Sequence, residues 1–157
     1  MKFIVLAIYL LLCFHAGAQR VYTLDPETEV IAHRTSNGSL QFSVPVKVLT
    51  LSLQESITQI TDIDSIGIEK IGKSNYLIAR GKERSKPGVK VSIAMLLAET
   101  SPGEFQADNL IISCSSAGDC RECSIPPICK CNKGEGSCGQ NNVMIASLKK
   151  VTVTLFE

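Results

Sequence analysis

Six cysteines lie between Cys114 and Cys138 in the order C-x5-C-x2-C-x5-C-x-C-x6-C, and they constrain the fold more than any other part of the 157-residue chain. Many of the residues between them are turn formers, among them Gly118, Pro126 and Gly134, and the segment offers little apolar surface to bury. Covalent or coordinate bonds are therefore needed to order the segment. Two explanations fit this pattern: three disulfides, or thiolates that bind a metal ion.

The start of the chain has the features of a secretory signal. Lys2 gives a positive N-terminus, Phe3 to Phe14 is an uncharged apolar run, and Ala16-Gly17-Ala18 has the small residues of a cleavage site. The run is shorter than the roughly 20 residues that a membrane-spanning helix needs. We therefore expect a signal peptide over residues 1–18, cleavage after Ala18, no membrane span, and a secreted or periplasmic protein.

Export favours disulfides over metal binding, because thiols oxidise outside the cytosol. Cleavage also removes the seventh cysteine, Cys13, and leaves an even number. Cys129 and Cys131 are not expected to bond to each other, since one intervening residue sets their Cα atoms about 7 Å apart in an extended chain. The rest of the connectivity stays open. The expected disulfide residues are Cys114, Cys120, Cys123, Cys129, Cys131 and Cys138.

A thiolate metal site is the alternative explanation. Cys120 and Cys123, with Cys129 and Cys131, offer four sulfurs that suit zinc or copper(I). The C-x2-C spacing also occurs in thioredoxin-type redox centres, but those place the first thiol at a helix N-terminus. The turn formers around Cys120 do not predict such a helix, so we expect no oxidoreductase and no resident cofactor.

Residues 19–113 contain no cysteine and predict an antiparallel β domain. Leu40 to Val48 alternates apolar and polar residues, which indicates a strand. Pro45 lacks an N–H, so this strand is expected either at a sheet edge or with a bulge. Leu51 to Ile60 has apolar residues at helical spacing and predicts a short helix. Residues 76–113 are typical of a meander of antiparallel strands.

The C-terminal part completes the expected architecture. Residues 114–138 form a cysteine-rich loop in this interpretation, and residues 139–157 supply a closing strand, because Val151 to Leu155 alternates apolar and polar residues. The predicted fold is mostly β with minor α: a small antiparallel sheet or sandwich with a C-terminal disulfide-rich loop.

Part of the cysteine segment resembles the reactive loop of Bowman-Birk-type serine-protease inhibitors. The match covers Cys123-Ser124-Ile125-Pro126-Pro127-Ile128-Cys129, and the family holds this loop as a rigid, disulfide-closed turn. The resemblance implies inhibition of a serine protease through the Cys123–Cys129 loop. The sequence departs from the family where specificity is set, since Cys123 occupies the position of the basic residue that enters the protease pocket.

A second resemblance covers residues 66–138. Ile68-Glu69-Lys70-Ile71, then Tyr76 to Gly81, then Cys114 to Cys138 are similar to small exported bacterial proteins of no assigned activity, in which a strand meander ends in a C-x2-C, C-x-C and Cys-Asn cluster. Here Gly139 follows Cys138 where those proteins have asparagine. The resemblance implies export from a bacterial cell and no particular chemistry.

Charge and motif content narrow the function further. Sixteen Lys and Arg against fifteen Asp and Glu give a net charge of +1, which argues against nucleic acid as a partner. His33 is the only histidine after cleavage, and no nucleophile or phosphate-binding motif is present. We therefore expect a non-catalytic structural or recognition protein. The sequence does not identify its partner, for which another exported protein is one candidate. The expected recognition loop consists of Arg121, Glu122, Ser124, Ile125, Pro126, Pro127 and Ile128.

Overall fold

The computed structural model describes residues 19–57, 60–86, 88–124 and 129–156, which form eleven strands and one helix. The elements are β1 Gln19–Leu24, β2 Ala32–Arg34, β3 Leu40–Phe42, α1 Val46–Ser56, β4 Ile60–Ile71, β5 Ser74–Glu83, β6 Lys90–Ser101, β7 Glu104–Gly118, β8 Glu122–Ser124, β9 Lys130–Lys133, β10 Gly136–Ile145 and β11 Val151–Phe156. The mostly β prediction with minor α is confirmed.

One antiparallel sheet dominates the molecule. Its strands follow the order β3-β2-β7-β6-β5-β4, and β10 also pairs with β7. The long strand β7 makes this possible, because Phe105 near its start pairs with β2 while Leu110 to Gly118 pair with β10. Strands β4 to β7 are consecutive antiparallel neighbours, so the predicted meander is confirmed.

The predicted strand from Leu40 to Val48 is wrong after Phe42. The strand ends there, and α1 begins at Val46 with Pro45 as the residue before it. The carbonyl of Pro45 accepts from the N–H groups of Val48 and Leu49, so the proline opens a helix here. The shortened strand β3 does lie at an edge of the sheet, as predicted. The strand pattern grouped Val46 with the inward residues, whereas the helix leaves it 46% exposed.

The helix predicted over Leu51 to Ile60 exists, but it begins and ends earlier than expected. It stops at Ser56 because Ile57 is extended, with φ −121° and ψ 90°, and Ile60 opens strand β4. Leu53 and Ile57 are buried as the helical spacing predicts.

Helix α1 and a two-stranded ribbon of β1 and β11 cover one face of the sheet. The ribbon confirms the closing strand: β11 pairs antiparallel with β1 from Gln19 opposite Phe156 to Leu24 opposite Val151. The main core lies between these layers. Its largest fully buried side chains include Leu24, Leu49, Leu53, Leu77, Ile93, Met95, Phe105 and Ile111.

The cysteine segment, expected as a loop, consists largely of strands. It contains the end of β7, the hairpin of β8 and β9, and the start of β10. Backbone pairing therefore orders this segment together with the disulfides. It brings the segment onto the second face of the sheet, as the contacts below show.

Candidate functional site

All six expected cysteines are bonded. The disulfides are Cys114–Cys129, Cys120–Cys131 and Cys123–Cys138, with Cα–Cα distances of 5.7, 5.7 and 5.9 Å. Cys129 and Cys131 bond to different partners, as their spacing predicts. The three bridges link β7, the turn after it, β8, β9 and β10 into one unit, which we call the stapled tip (residues 114–138).

Each bridge joins one buried cysteine to one that is partly exposed. Cys114, Cys120 and Cys123 are 0%, 5% and 1% exposed, and their partners are of intermediate exposure. The sulfurs pack together as a small cluster that is separate from the main core. The stapled tip thus has its own interior, which consists of cystine and not of aliphatic side chains.

One row of residues across the sheet holds the β8–β9 hairpin. Arg80, Ser92 and Cys114 are paired side by side on β5, β6 and β7, so their side chains lie on the same face. The Ser92 hydroxyl donates to the carbonyl of Cys123 at 3.1 Å, and Arg80 Nε lies 4.0 Å from Glu122 Oε1. The Cys114 disulfide completes the row. The hairpin is therefore fixed to three neighbouring strands.

Glu122 is the electrostatic centre of this attachment. Lys133 Nζ on β9 lies 2.5 Å from Glu122 Oε2, and this hydrogen bond, the largest cause, lowers the pKa of the Glu122 carboxyl. The Arg80 guanidinium lowers it further and also donates to Glu69 Oε1 on β4 at 2.7 Å. Charged side chains thus link β8 to β9, β5 and β4.

Two glycines allow the strands of the stapled tip to approach closely. Gly134 has φ +99°, and a Cβ on it would overlap the carbonyl of Asp119. A Cβ on Gly136 would overlap the carbonyl of Ala117 and lie 2.6 Å from the backbone nitrogen of Cys120. No larger residue fits either position without backbone movement.

The expected recognition loop is only partly described. Arg121 is exposed, Glu122 is half-buried, and the Ser124 hydroxyl donates to the carbonyl of Lys130 at 3.1 Å across the hairpin. Ile125, Pro126, Pro127 and Ile128 lie outside the described residues.

The inhibitor-like ring does not form as the resemblance implies. Cys123 and Cys129 bond to Cys138 and Cys114, so no disulfide joins the two ends of the loop. Strands β8 and β9 close the loop instead, with Cys123 opposite Cys131.

The four sulfurs expected for a metal site are divided among the three disulfides. The sulfurs that do converge are those of Cys120, Cys131 and Cys138, which lie within 4.8 Å of one another. They belong to two bridges, so none of these three sulfurs is a free thiolate that could bind a metal ion while the bridges are intact.

An open polar groove of about 710 Å³ runs along the stapled tip. Its charged lining consists of Lys90, Asp119, Arg121 and Glu135. Only Arg121 was expected there. Lys90 is added because β6 begins beside the end of β7, a juxtaposition that depends on the register of the sheet.

The side chains suited to acid–base chemistry on strands β2 and β4 lie apart. His33 is exposed on β2, where its Nδ1 is 3.1 Å from Ser43 Oγ. Asp62 and Asp64 are exposed on β4, and Asp64 Oδ2 is 3.4 Å from Lys90 Nζ. Strands β7, β6 and β5 separate β2 from β4, so these groups do not form one site.

No family model, curated protein or solved structure matches this chain. The likeness to small exported bacterial proteins therefore stays a prediction. Among the described residues, no helix has the length and apolar character needed to cross a membrane.

Proposed function

We propose that this chain is an exported, non-catalytic recognition protein that binds a polar partner at its stapled tip. The observation that carries the proposal is the three disulfides, which hold both ends of the Ser124–Cys129 loop and one wall of the adjoining groove. Preorganised surfaces bind tightly because less ordering entropy is lost on association. A structure of this kind suits recognition.

Export is supported by the sequence and by the bridges. Disulfides persist in oxidising compartments, and the first residues have the pattern of a cleavable signal. The described strands, from β1 at Gln19–Leu24 onward, all lie after the expected cleavage point. Removal of residues 1–18 would leave all the described strands intact.

The charges of the groove suggest the chemistry of the partner. Lys90 and Arg121 face the same groove as Asp119 and Glu135, so both signs are present side by side. Such a surface matches a polypeptide that carries both acidic and basic side chains. Another exported protein fits this description, and a uniformly anionic nucleic acid does not.

An intact mass tests export and disulfide formation together. The full chain is expressed in an exporting cell, and the intact mass of the exported product is measured by mass spectrometry with and without alkylation of free thiols. We expect a chain that begins at Gln19, carries three disulfides and takes up no alkylating agent. Six alkylatable thiols, or a chain retained with its leader, would contradict the proposal.

A crosslinking experiment tests recognition. The mature chain is mixed with the exported proteins of its source cell, and Arg121→Ala is compared with Lys73→Ala, which removes an exposed cation from the turn between β4 and β5. We expect a discrete crosslinked complex with the native chain and with Lys73→Ala, and at least a several-fold weaker one with Arg121→Ala. Equal crosslinking in both variants, or no complex at all, would overturn the assignment of this surface.

A further inference from the structure

Two sulfurs from different disulfides are in direct contact. Cys120 Sγ lies 3.3 Å from Cys138 Sγ, although Cys120 is bonded to Cys131 and Cys138 is bonded to Cys123. Thiol–disulfide exchange proceeds when a thiolate reaches one sulfur of a disulfide. A thiolate formed at Cys120 would therefore have its target beside it, with the high effective concentration of an intramolecular reaction.

Within the Cys120–Cys131 bridge, exposure determines which sulfur an external thiol can attack. Cys131 is partly exposed, whereas its partner Cys120 is 5% exposed. Access is one of the factors that select the sulfur that is attacked. Attack at Cys131 leaves the negative charge on Cys120, next to Cys138.

We propose that the stapled tip undergoes a two-step disulfide exchange when it meets a small-molecule or protein thiol. The external thiolate first bonds to Cys131 Sγ, and the Cys120–Cys131 bond breaks with its electron pair on Cys120. Cys120 Sγ then bonds to Cys138 Sγ, and the Cys123–Cys138 bond breaks with its electron pair on Cys123. In the second step the Cys120 thiolate is consumed and a Cys123 thiolate is released, so this step involves no net oxidation or reduction.

The exchange changes what the bridges connect. Before it, Cys123 joins β8 to β10 and Cys120 joins the preceding turn to β9. Afterwards the turn is joined to β10, while β8 and Cys131 of β9 have no bridge of their own. The hairpin is then held by the Cys114–Cys129 disulfide and by the contacts of Arg80, Ser92 and Lys133. The stapled tip thus acts as a thiol-sensitive switch, whether or not it binds the partner proposed above.

A pair of single substitutions tests the second step without added reductant. Cys131→Ala leaves Cys120 with a free thiol next to Cys138. The matched control Cys129→Ala frees Cys114, whose sulfur is not among the three that lie within 4.8 Å of one another. Each purified variant is alkylated and its disulfides are mapped by mass spectrometry. In Cys131→Ala we expect the label to be divided between Cys120 and Cys123, together with a new Cys120–Cys138 bridge. In Cys129→Ala we expect the label on Cys114 alone.

Label confined to Cys120 in Cys131→Ala, with Cys123–Cys138 intact, would overturn the exchange. Equal scrambling in Cys129→Ala would show a loose segment and would overturn it as well. Because either variant can fail to fold, the native chain is also treated briefly with limiting glutathione, quenched with acid and mapped. We expect glutathione on Cys131, a Cys120–Cys138 bridge and a free Cys123. A free Cys120 beside an intact Cys123–Cys138 bridge would contradict the proposal.

Discussion

Gly136 shows how a single position can determine whether the stapled tip closes. A Cβ at this residue would overlap the carbonyl of Ala117 and meet the backbone of Cys120, and backbone atoms cannot turn aside as the end of a side chain can. Gly67 on β4 has no neighbouring atom within 4 Å of the corresponding position. The two glycines therefore form a matched pair.

We expect Gly136→Ala to lower the free energy of unfolding by about 1–3 kcal/mol, the usual cost of forcing an extra group into a packed site. Gly67→Ala should change it by less than about 1 kcal/mol, since open space adds no clash. Urea denaturation of both variants measures the difference. Equal stability of the two variants would mean that Gly136 is not closely packed.

Ionisation of the Tyr22 hydroxyl makes the stability of the fold depend on pH in the alkaline range. Its hydroxyl donates to Glu29 Oε1 at 2.8 Å, and burial, followed by this hydrogen bond and the negative charge of Glu29, raises its pKa from 10.0 to about 12. Between pH 10 and pH 12 the unfolded chain loses a proton that the folded chain keeps. The contribution of Tyr22 to stability is thus complete below pH 10 and is lost as the pH rises through 12.

Tyrosinate absorbance during an alkaline titration checks this. We expect the native chain to show a phase near pH 12 that disappears in Tyr22→Phe. Glu29→Gln should move that phase towards lower pH, because the charge of Glu29 no longer opposes ionisation. A Tyr22 phase at the ordinary value of 10.0 would contradict the structure.

At the scale of elements, the sequence predicts which residues are buried better than it predicts where a strand or helix begins and ends. The alternation from Leu40 to Val48 is compatible with a strand and also with the start of a helix, since Val48 and Leu49 in the helix and Val44 just before it are all buried. Pro45 is compatible with both, because it suits a strand edge and a helix start equally. Packing of Leu49 and Leu53 against the sheet favours the helix over the strand, and that contact is not local in sequence.

Helix α1 offers a direct test of that packing. Leu53 is 1% exposed and belongs to the main core, whereas Leu51 in the same helix is 37% exposed. We expect Leu53→Ala to cost about 2–5 kcal/mol of unfolding free energy, through lost burial and a cavity. Leu51→Ala should cost clearly less, about 1–2 kcal/mol, because part of this side chain is already in water, no closed cavity is left, and helix propensity is nearly equal. Thermal and urea unfolding compare the two, and similar losses would indicate that α1 is not seated on the sheet.

The stapled tip could be predicted in part. The six cysteines and the separate bonding of Cys129 and Cys131 follow from their number and spacing. The pairing does not, because three bridges allow many arrangements and the β7–β8–β9–β10 geometry selects among them. The same is true of Lys90, whose place beside Arg121 depends on how β6 lies against β7.

At the scale of the whole molecule, the two interiors should respond differently to reduction. The main core contains no cysteine, while the cluster in the stapled tip consists of cysteine alone. Each bridge closes a loop with a sequence separation of 11 or 15 residues. A loop of about 15 residues corresponds to about 3 kcal/mol of stabilisation in the chain-entropy account.

We expect full reduction to speed amide hydrogen exchange in residues 114–138 and to leave β5 and the centre of β6 protected. Hydrogen exchange followed by mass spectrometry, with and without reductant at constant pH, makes the comparison. Loss of protection throughout the sheet would show that the staples stabilise the entire fold.

The β1–β11 ribbon has a mechanical consequence. Gln19 and Phe156 stand opposite each other at the same end of an antiparallel pair. Tension applied through these two residues would load the backbone hydrogen bonds of the ribbon one pair after another, starting at this end, and would not load them all together in shear. The chain would therefore begin to yield at this ribbon under a small load, while the cross-linked segment at residues 114–138 could lengthen only as far as its bridges permit.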